Sequence, residues 1–155
     1  MSLKFVVTVV AEYQDDADSI FADAVDFEHL AQVMSDIAVY EGLPQEPVRE
    51  GMEILSNVTF WGWLKVRGHT MRIESYDPDN RCLQSREHSP DVRQWDHHLQ
   101  VEPAGDIAVW TDTITLDAGW RTPVVALFCR YMYRHRHKRR AATSLKSRIQ
   151  PLRIR

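Results

Sequence analysis

The stretch DVRQWDHHLQVEPAGDIAVWTDTITLD, residues 91–117, decides the fold. On both sides of residues 103–106, whose sequence Pro-Ala-Gly-Asp is typical of a turn, apolar and polar side chains alternate. A period of two is the pattern of strands that bury one face and expose the other. The stretch therefore predicts two antiparallel strands, about 91–102 and 106–117, joined in a hairpin.

The turn also predicts a register for this hairpin. If Glu102 faces Ile107, the pairs further along are Trp95 with Ile114, His97 with Asp112, Leu99 with Trp110, and Val101 with Ala108. Apolar side chains then meet on one face, and a shift of one residue would lose this match. We therefore expect His97 and Asp112 to meet on the concave face of the sheet.

The same period of two extends back to Val48 and occurs again near the start of the chain. Turn signals at 56–57, 67–68, 77–80 and 89–90 divide this part of the sequence into segments. The further predicted strands are 3–13, 48–55, 58–66, 69–76 and 81–88. Because the connections are short, the strands should form antiparallel hairpins in sequence.

Two helical regions complete the pattern. Aspartates 15, 16 and 18 begin two short helices, which separate near Asp26 and end by Gly42-Leu43-Pro44. After Gly119 the period becomes 3.6, with Pro123 at the first helical position of a long helix ending before Pro151. We place Val124, Phe128, Tyr131 and His135, then Ala142, Leu145 and Ile149, along one side of it.

The composition is that of one globular domain, residues 1–155. Hydrophobic residues make up 44% and charged residues 26% of the 155. No apolar run approaches the roughly 20 residues of a membrane span, and no leader pattern is present, which predicts a cytoplasmic protein without a span. Cys82 and Cys129 are isolated, so we expect buried, reduced thiols.

Several function classes lack their signatures. No histidine pair has metal-ligand spacing with a glutamate, so we expect no metal. Neither GxGxxG nor GxSxG occurs, so a nucleotide cofactor and serine-hydrolase chemistry are unsupported, and we expect no cofactor. The sequence is compatible with a homodimer without requiring one.

Charge is divided unevenly along the chain. All 22 acidic residues lie within residues 1–117, whereas 118–155 hold 11 of the 19 Lys and Arg. The basic run Arg134–Arg140 would either complement the acidic remainder of the fold, which charge favours, or bind an anionic surface. No nucleic-acid-binding signature accompanies it, so we expect no nucleic-acid partner.

The order of elements resembles the START/polyketide cyclase-dehydrase (SRPBCC) superfamily, which has the helix-grip fold. The stretches that carry the resemblance are Trp95-Asp96-His97, Trp110-Thr111-Asp112, Asp117-Ala118-Gly119 and Tyr133-Arg134-His135-Arg136. The resemblance extends from Phe5 to about Ile149. It implies an α+β fold in which a seven-stranded curved antiparallel sheet and two short helices surround one long C-terminal helix. It also implies an internal cavity for a small hydrophobic ligand that is lipid-like or an aromatic polyketide.

In a family that includes aromatic polyketide cyclases, His97 could act as a general base with Asp112 orienting its ring. The alternative is a buried pair that only completes the hydrogen bonding of the core. The predicted ligand-binding residues are Trp61, Trp63, Trp95, Trp110, Arg86, Phe128, Tyr131 and His135. Aromatic residues would stack on a planar ligand or pack in the core, and Arg86 would clamp an anionic group.

Overall fold

The computed structural model describes residues 4–145 and 153–154. Its strands are β1 Phe5–Tyr13, β2 Ala38–Glu41, β3 Glu53–Phe60, β4 Leu64–Asp77, β5 Cys82–Ser89, β6 Val92–Ala104, β7 Ile107–Asp117 and the two-residue β8 Arg153–Ile154. Its α-helices are α1 Ala17–Ala24, α2 Phe27–Val33 and α3 Thr122–Leu145, the last preceded by a 3₁₀ turn, Gly119–Arg121. The part of the predicted long helix beyond residue 145 lies outside the described residues.

Seven strands in the order β2-β3-β4-β5-β6-β7-β1 form one antiparallel sheet, and β8 extends its β1 edge. This confirms the predicted α+β architecture of a curved antiparallel sheet, two short helices and a long C-terminal helix. The prediction that the two short helices separate near Asp26 is also correct, because the side chain of Asp26 caps α2 through the backbone N–H groups of Glu28 and His29.

The division of residues 38–77 into strands was predicted wrongly. The expected turns at 56–57 and 67–68 are a bulged part of the β3–β4 ladder, where the side chain of Asn57 accepts a hydrogen bond from the backbone N–H of Gly68. The chain instead turns at residues 61–63. One long strand, β4, thus replaces parts of two predicted strands, while the unpredicted β2 restores the count to seven.

The predicted register of the β6–β7 hairpin is wrong by two residues. His97 faces Ile114, and Asp112 faces Leu99. The turn is tighter than expected, because Ala104 pairs directly with Ile107. A shift of two residues keeps every side chain on its predicted face, so the concave face carries the expected residues.

The side of α3 on which the sequence placed Val124, Phe128, Tyr131 and His135 is not its most buried side. Val124 is exposed and Tyr131 is nearly half exposed, whereas Ala126, Cys129 and His137 are buried. The N-terminal half of α3 packs Ala126 and Cys129 against β1 and β7. Further along, α3 buries the side chains of Arg136, His137 and Arg140, so a hydrophobic pattern does not mark the inner face of that part of the helix.

Candidate functional site

A cavity of about 400 Å³ lies between the concave face of the sheet and helices α2 and α3. Most of its wall is apolar: Phe27, Leu30, Met34, Val58, Phe60, Met71, Ile73, Leu83, Trp95, Leu99, Val125, Phe128 and Met132 contribute to it. Ionisable or hydroxyl side chains also line it: Ser85, Glu87, His69, His97, Tyr133 and Arg136. A cavity of this size with a few convergent polar groups is typical of a small-molecule site.

His97 is held at the cavity wall by Asp112. Nε2 of His97 lies 2.7 Å from Oδ1 of Asp112, and Asp112 is fully buried behind the wall. Its second oxygen, Oδ2, lies 3.2 Å from Nε2 of His137 on α3. Nδ1 of His137 lies 2.6 Å from the hydroxyl of Tyr13. Four side chains from β1, β6, β7 and α3 therefore form one buried polar chain, of which His97 reaches the cavity.

The carboxylate of Asp112 is stabilised in its charged form. Burial alone would raise its pKa, but the hydrogen bonds with His137 and His97 and the electrostatic interaction with these residues outweigh burial. The pKa of Asp112 therefore lies well below its ordinary value of 3.8. An ionised Asp112 fixes the orientation of the His97 ring and leaves Nδ1 as the ring nitrogen available to a ligand.

A second polar group lies on strands β4 and β5. Glu87 is only 4% exposed, and its Oε2 lies 2.7 Å from Nε2 of His69. Its other oxygen, Oε1, accepts a hydrogen bond of 2.6 Å from the hydroxyl of Ser85. Ser85 is directly opposite His97 in the β5–β6 ladder. The two histidine–carboxylate pairs therefore lie side by side on the concave face, about one strand spacing apart.

Tyr133 of α3 covers this polar face. Its ring meets that of His97 edge to face at a centroid distance of 5.2 Å and stacks with Trp95 at 6.5 Å. Burial, and then the charge of Glu87, raises the pKa of Tyr133 well above its ordinary value. Its phenol is therefore a neutral hydroxyl that can donate a hydrogen bond inside the cavity.

Arg136 also lines the cavity, from the α3 side. It is 7% exposed, and its guanidinium lies over the ring of Trp110 at 4.9 Å. One of its N–H groups donates to the carbonyl of Ala24 at the end of α1, at 2.9 Å. Its Nε is buried without a hydrogen-bond partner among the described residues.

Of the residues predicted to bind a ligand, the structure places Trp95 and Phe128 in the cavity wall, together with His97. Trp110 is fully buried behind the wall, where its ring meets His137 edge to face at 4.6 Å. Asp112 likewise supports the wall without lining it. Whether these residues bind a ligand stays a prediction.

The other predicted residues lie outside the cavity. Trp61 and Trp63 belong to the turn between β3 and β4, are 43% and 71% exposed, and stack on each other at 6.4 Å. Tyr131 lies beside Trp61 on the surface at 6.1 Å. The placement of the two tryptophans on one strand was wrong, because Trp61 adopts a positive φ of 50° in the turn.

Two charged residues are also displaced from their expected position. Arg86 lies on the outer face of β5, largely exposed, 3.8 Å from Asp96. His135 forms a hydrogen bond of 3.0 Å with Asp36, away from the cavity. Neither side chain lines the cavity, so the predicted anion clamp by Arg86 has no geometric support there.

The basic run Arg134–Arg140 is not a continuous exposed stripe. Arg136, His137 and Arg140 are buried. Arg140 pairs with Asp23 of α1 and lies over the ring of Tyr13 at 4.6 Å, and Arg139 lies 3.6 Å from Asp36. The run therefore complements acidic residues of the fold, as charge favoured: Asp23 lies in α1, and Asp36 follows α2. Binding to an anionic surface stays a prediction.

Some of these residues were missed at the level of sequence. Leu83, Ser85 and Glu87 share one face of β5, so alternation from Leu83 could have placed Glu87 inside. His69 lies beyond the unrecognised bulge of β4, and no such pattern marks it. Arg136 and His137 were missed because a hydrophobic pattern does not mark charged or polar residues that a helix buries.

Within the part of the chain that the structure describes, no group of three metal-ligating side chains could hold a metal ion. Among the same residues, no helix is long and apolar enough to cross a membrane.

The fold is similar to that of three solved structures. The crystal structure of Ara h 8.0201 matches with a TM-score of 0.72 at 10% identity, over 92% of this chain and 99% of that one. TTHA0849 from Thermus thermophilus matches with a TM-score of 0.63 at 15% identity, over 90% and 99%. CV1439 from Chromobacterium violaceum matches with a TM-score of 0.69 at 12% identity, over 92% and 95%. At these identities the likeness shows the fold alone, and it supports the helix-grip architecture.

No curated protein matches the sequence. One family model does match, over residues 22–143, which include both histidine–carboxylate pairs and Arg136. The chain therefore belongs to the family described as Domain of unknown function (DUF8410).

Proposed function

We propose that this protein binds a small, mainly apolar molecule in the cavity between the sheet and α3. The observation that carries the proposal is the cavity itself, about 400 Å³ in volume, with apolar walls and a buried polar face. Glu87 and His97 are almost fully buried on that face. Burying such groups beside an apolar cavity is costly, and a ligand with a polar group would use them. The resemblance to the START/polyketide cyclase superfamily supports the same function.

The test uses N-phenyl-1-naphthylamine, a neutral probe that fluoresces in apolar sites. We expect saturable binding to the wild-type protein and loss of at least about tenfold in affinity in Leu83→Trp, which fills the cavity. Leu55→Trp is the matched control, because Leu55 is exposed on the outer face of β3. Absence of probe binding, or equal binding by both variants while both remain folded, would contradict the proposal.

A second candidate function is enzymatic, a cyclase or dehydratase acting on a β-keto substrate. The observation that favours it is the position of His97, whose ring lines the cavity while Asp112 occupies Nε2 at 2.7 Å. In this mechanism Nδ1 accepts a proton from the carbon beside a carbonyl, and the electrons of the broken C–H bond form the enolate. A neutral Tyr133 is the nearby hydroxyl that could hydrogen-bond to the enolate oxygen.

Replacing His97 separates catalysis from structure. If the enzymatic function is correct, His97→Gln should abolish turnover of a linear poly-β-ketone. The same variant should bind N-phenyl-1-naphthylamine with an affinity within about twofold of the wild type. His98→Gln, at the neighbouring position and hydrogen-bonded to Gln84, should retain turnover. A large loss of stability in His97→Gln with no turnover by the wild type would indicate a purely structural pair.

A further inference from the structure

We propose that the ligand of the cavity carries an anionic group, a carboxylate or a phosphate, that pairs with Arg136. This inference rests on the proposed binding function and names the class of molecule bound: an amphipathic anion with an apolar body.

Arg136 is a buried cation without a counterion in the described structure. It is 7% exposed, and no carboxylate oxygen of the described residues lies within 4.0 Å of its guanidinium. Its guanidinium donates a hydrogen bond to the carbonyl of Ala24, and Nε has no partner among the same residues. Contacts with the ring of Trp110 and with the carbonyl oxygen of Ala24 compensate for only part of the free-energy cost of removing a guanidinium from water.

The other buried charges of the site differ from Arg136 in this respect. Arg140, also buried on α3, forms an ion pair with Asp23. Glu87 has His69 and Ser85 as partners, and Asp112 has two histidines. Among the described residues, Arg136 is therefore the buried charged side chain of the cavity wall that has no ionisable side chain within ion-pair distance.

The surroundings of Arg136 also determine how such a ligand would lie. Ala24, Val25 and Asp26, at the junction of α1 and α2, line the cavity together with Arg136. The carboxylate of Asp26 accepts hydrogen bonds from backbone N–H groups of α2, at 2.8 Å and 3.2 Å. An anionic head at Arg136 would leave the apolar body to fill the remaining, mainly apolar part of the cavity. Arginine suits this role because its planar group binds carboxylate and phosphate through two parallel hydrogen bonds.

The experiment compares ligands that share an apolar chain and differ in their head group. Decanoate, decyl phosphate and decanol each compete with N-phenyl-1-naphthylamine for the intact protein. We expect at least one of the two anions to displace the probe at about tenfold lower concentration than decanol. In Arg136→Met this preference, measured as the ratio of the anion and decanol concentrations that displace the probe from the same variant, should fall to within about twofold.

Two further variants keep the result interpretable. Arg134→Met, exposed on the same helix, should retain the preference of the wild type. Arg136→Lys keeps a charge but not the planar guanidinium group, and it should retain part of the preference for anions. This variant serves as the test if Arg136→Met does not fold. Equal displacement by decanol and both anions, or an unchanged preference in a folded Arg136→Met, would overturn the inference and leave the binding function standing. If the probe itself does not bind, the proposed function fails instead.

Discussion

The carboxylate of Asp112 lies 2.7 Å from Nε2 of His97, although the two residues are not opposite each other in the β6–β7 ladder. Asp112 is paired with Leu99, so the contact runs diagonally between positions two residues apart. Diagonal neighbours on one face of a sheet remain within reach of long side chains. The hydrogen bond therefore depends on which face each residue occupies more than on the register.

The first prediction concerns the stability that Asp112 provides. We expect Asp112→Asn to lower the free energy of unfolding by about 2–4 kcal/mol at neutral pH, because it removes the charge that holds two buried histidines. Urea unfolding followed by circular dichroism measures this change. Asp106→Asn, in the exposed β6–β7 turn, is the control and should change stability by less than about 0.5 kcal/mol.

The same variant should alter the response to acid. The pKa of Asp112 is lower in the folded protein than its ordinary value of 3.8, so the unfolded chain binds the proton more readily. The stabilisation is therefore complete above about pH 3.8 and is lost as the pH falls below it. Stability of Asp112→Asn should fall less steeply in that range than stability of the wild type, and an identical slope would contradict the assignment.

The second prediction concerns the buried pair of Glu87 and His69. A double-mutant cycle with Glu87→Gln and His69→Gln should give a coupling energy of about 1–3 kcal/mol, because the pair is largely shielded from water. The exposed pair Arg72–Glu53, at 3.3 Å, is the matched control and should couple by less than about 1 kcal/mol. Comparable coupling in the two cycles would show that burial does not strengthen the Glu87–His69 contact.

The architecture could be predicted from the sequence because it depends on periodicity. Alternation places the apolar residues of β6 and β7 on one face even though the register is shifted by two residues, and this places His97 and Asp112 together. The details of β3 and β4 could not be predicted in the same way. Asn57 and Gly68 are typical turn residues, yet they meet across a bulge, while the bulky Trp61 takes the positive φ of the real turn.

The polar side of the site was harder to predict than its apolar wall. A basic residue on a helix is expected on the outside, but Arg136 and Arg140 are buried, and they are stabilised by contacts with Trp110 and with Asp23 that lie far away in sequence. Contacts between residues so far apart in the chain leave no periodic pattern in the sequence around either residue. Trp95 and His97 could be predicted because their positions follow from strand alternation, and Phe128 could be predicted from the helical period of α3.

The third prediction tests which tryptophans contact the ligand. Trp95 lines the cavity, whereas Trp63 is exposed in a turn. We expect Trp95→Leu to weaken binding of N-phenyl-1-naphthylamine by about tenfold, and Trp63→Leu to leave it within about twofold. Fluorescence titration of both variants measures this, with thermal unfolding as a check that each is folded. An equal loss in the two would place the ligand at the surface turn.

The fourth prediction concerns the two cysteines. Cys129 is fully buried, and burial raises the pKa of its thiol well above the ordinary value. Cys82 is partly exposed, and burial raises its pKa as well. We expect Ellman's reagent to react slowly with Cys82, and not with Cys129, in the folded protein. In urea the reagent should react with both thiols. Cys82→Ser should abolish the reaction of the folded protein, and a remaining reaction would mean that Cys129 is accessible.

The fifth prediction concerns Gly42, which follows β2. Its φ is +89°, and a Cβ built there would lie 2.6 Å from the backbone carbonyl oxygen of Leu55 on β3. Gly105 has a similarly positive φ of +62°, but a Cβ there would meet nothing within 4 Å.

Gly105→Ala therefore measures the conformational cost alone, about 1 kcal/mol, whereas Gly42→Ala adds a clash with backbone that cannot move without displacing a strand. Gly42→Ala should lower the free energy of unfolding by at least about 2 kcal/mol more than Gly105→Ala in urea unfolding. An equal loss in the two variants would mean that β2 does not approach β3 as closely as the structure shows.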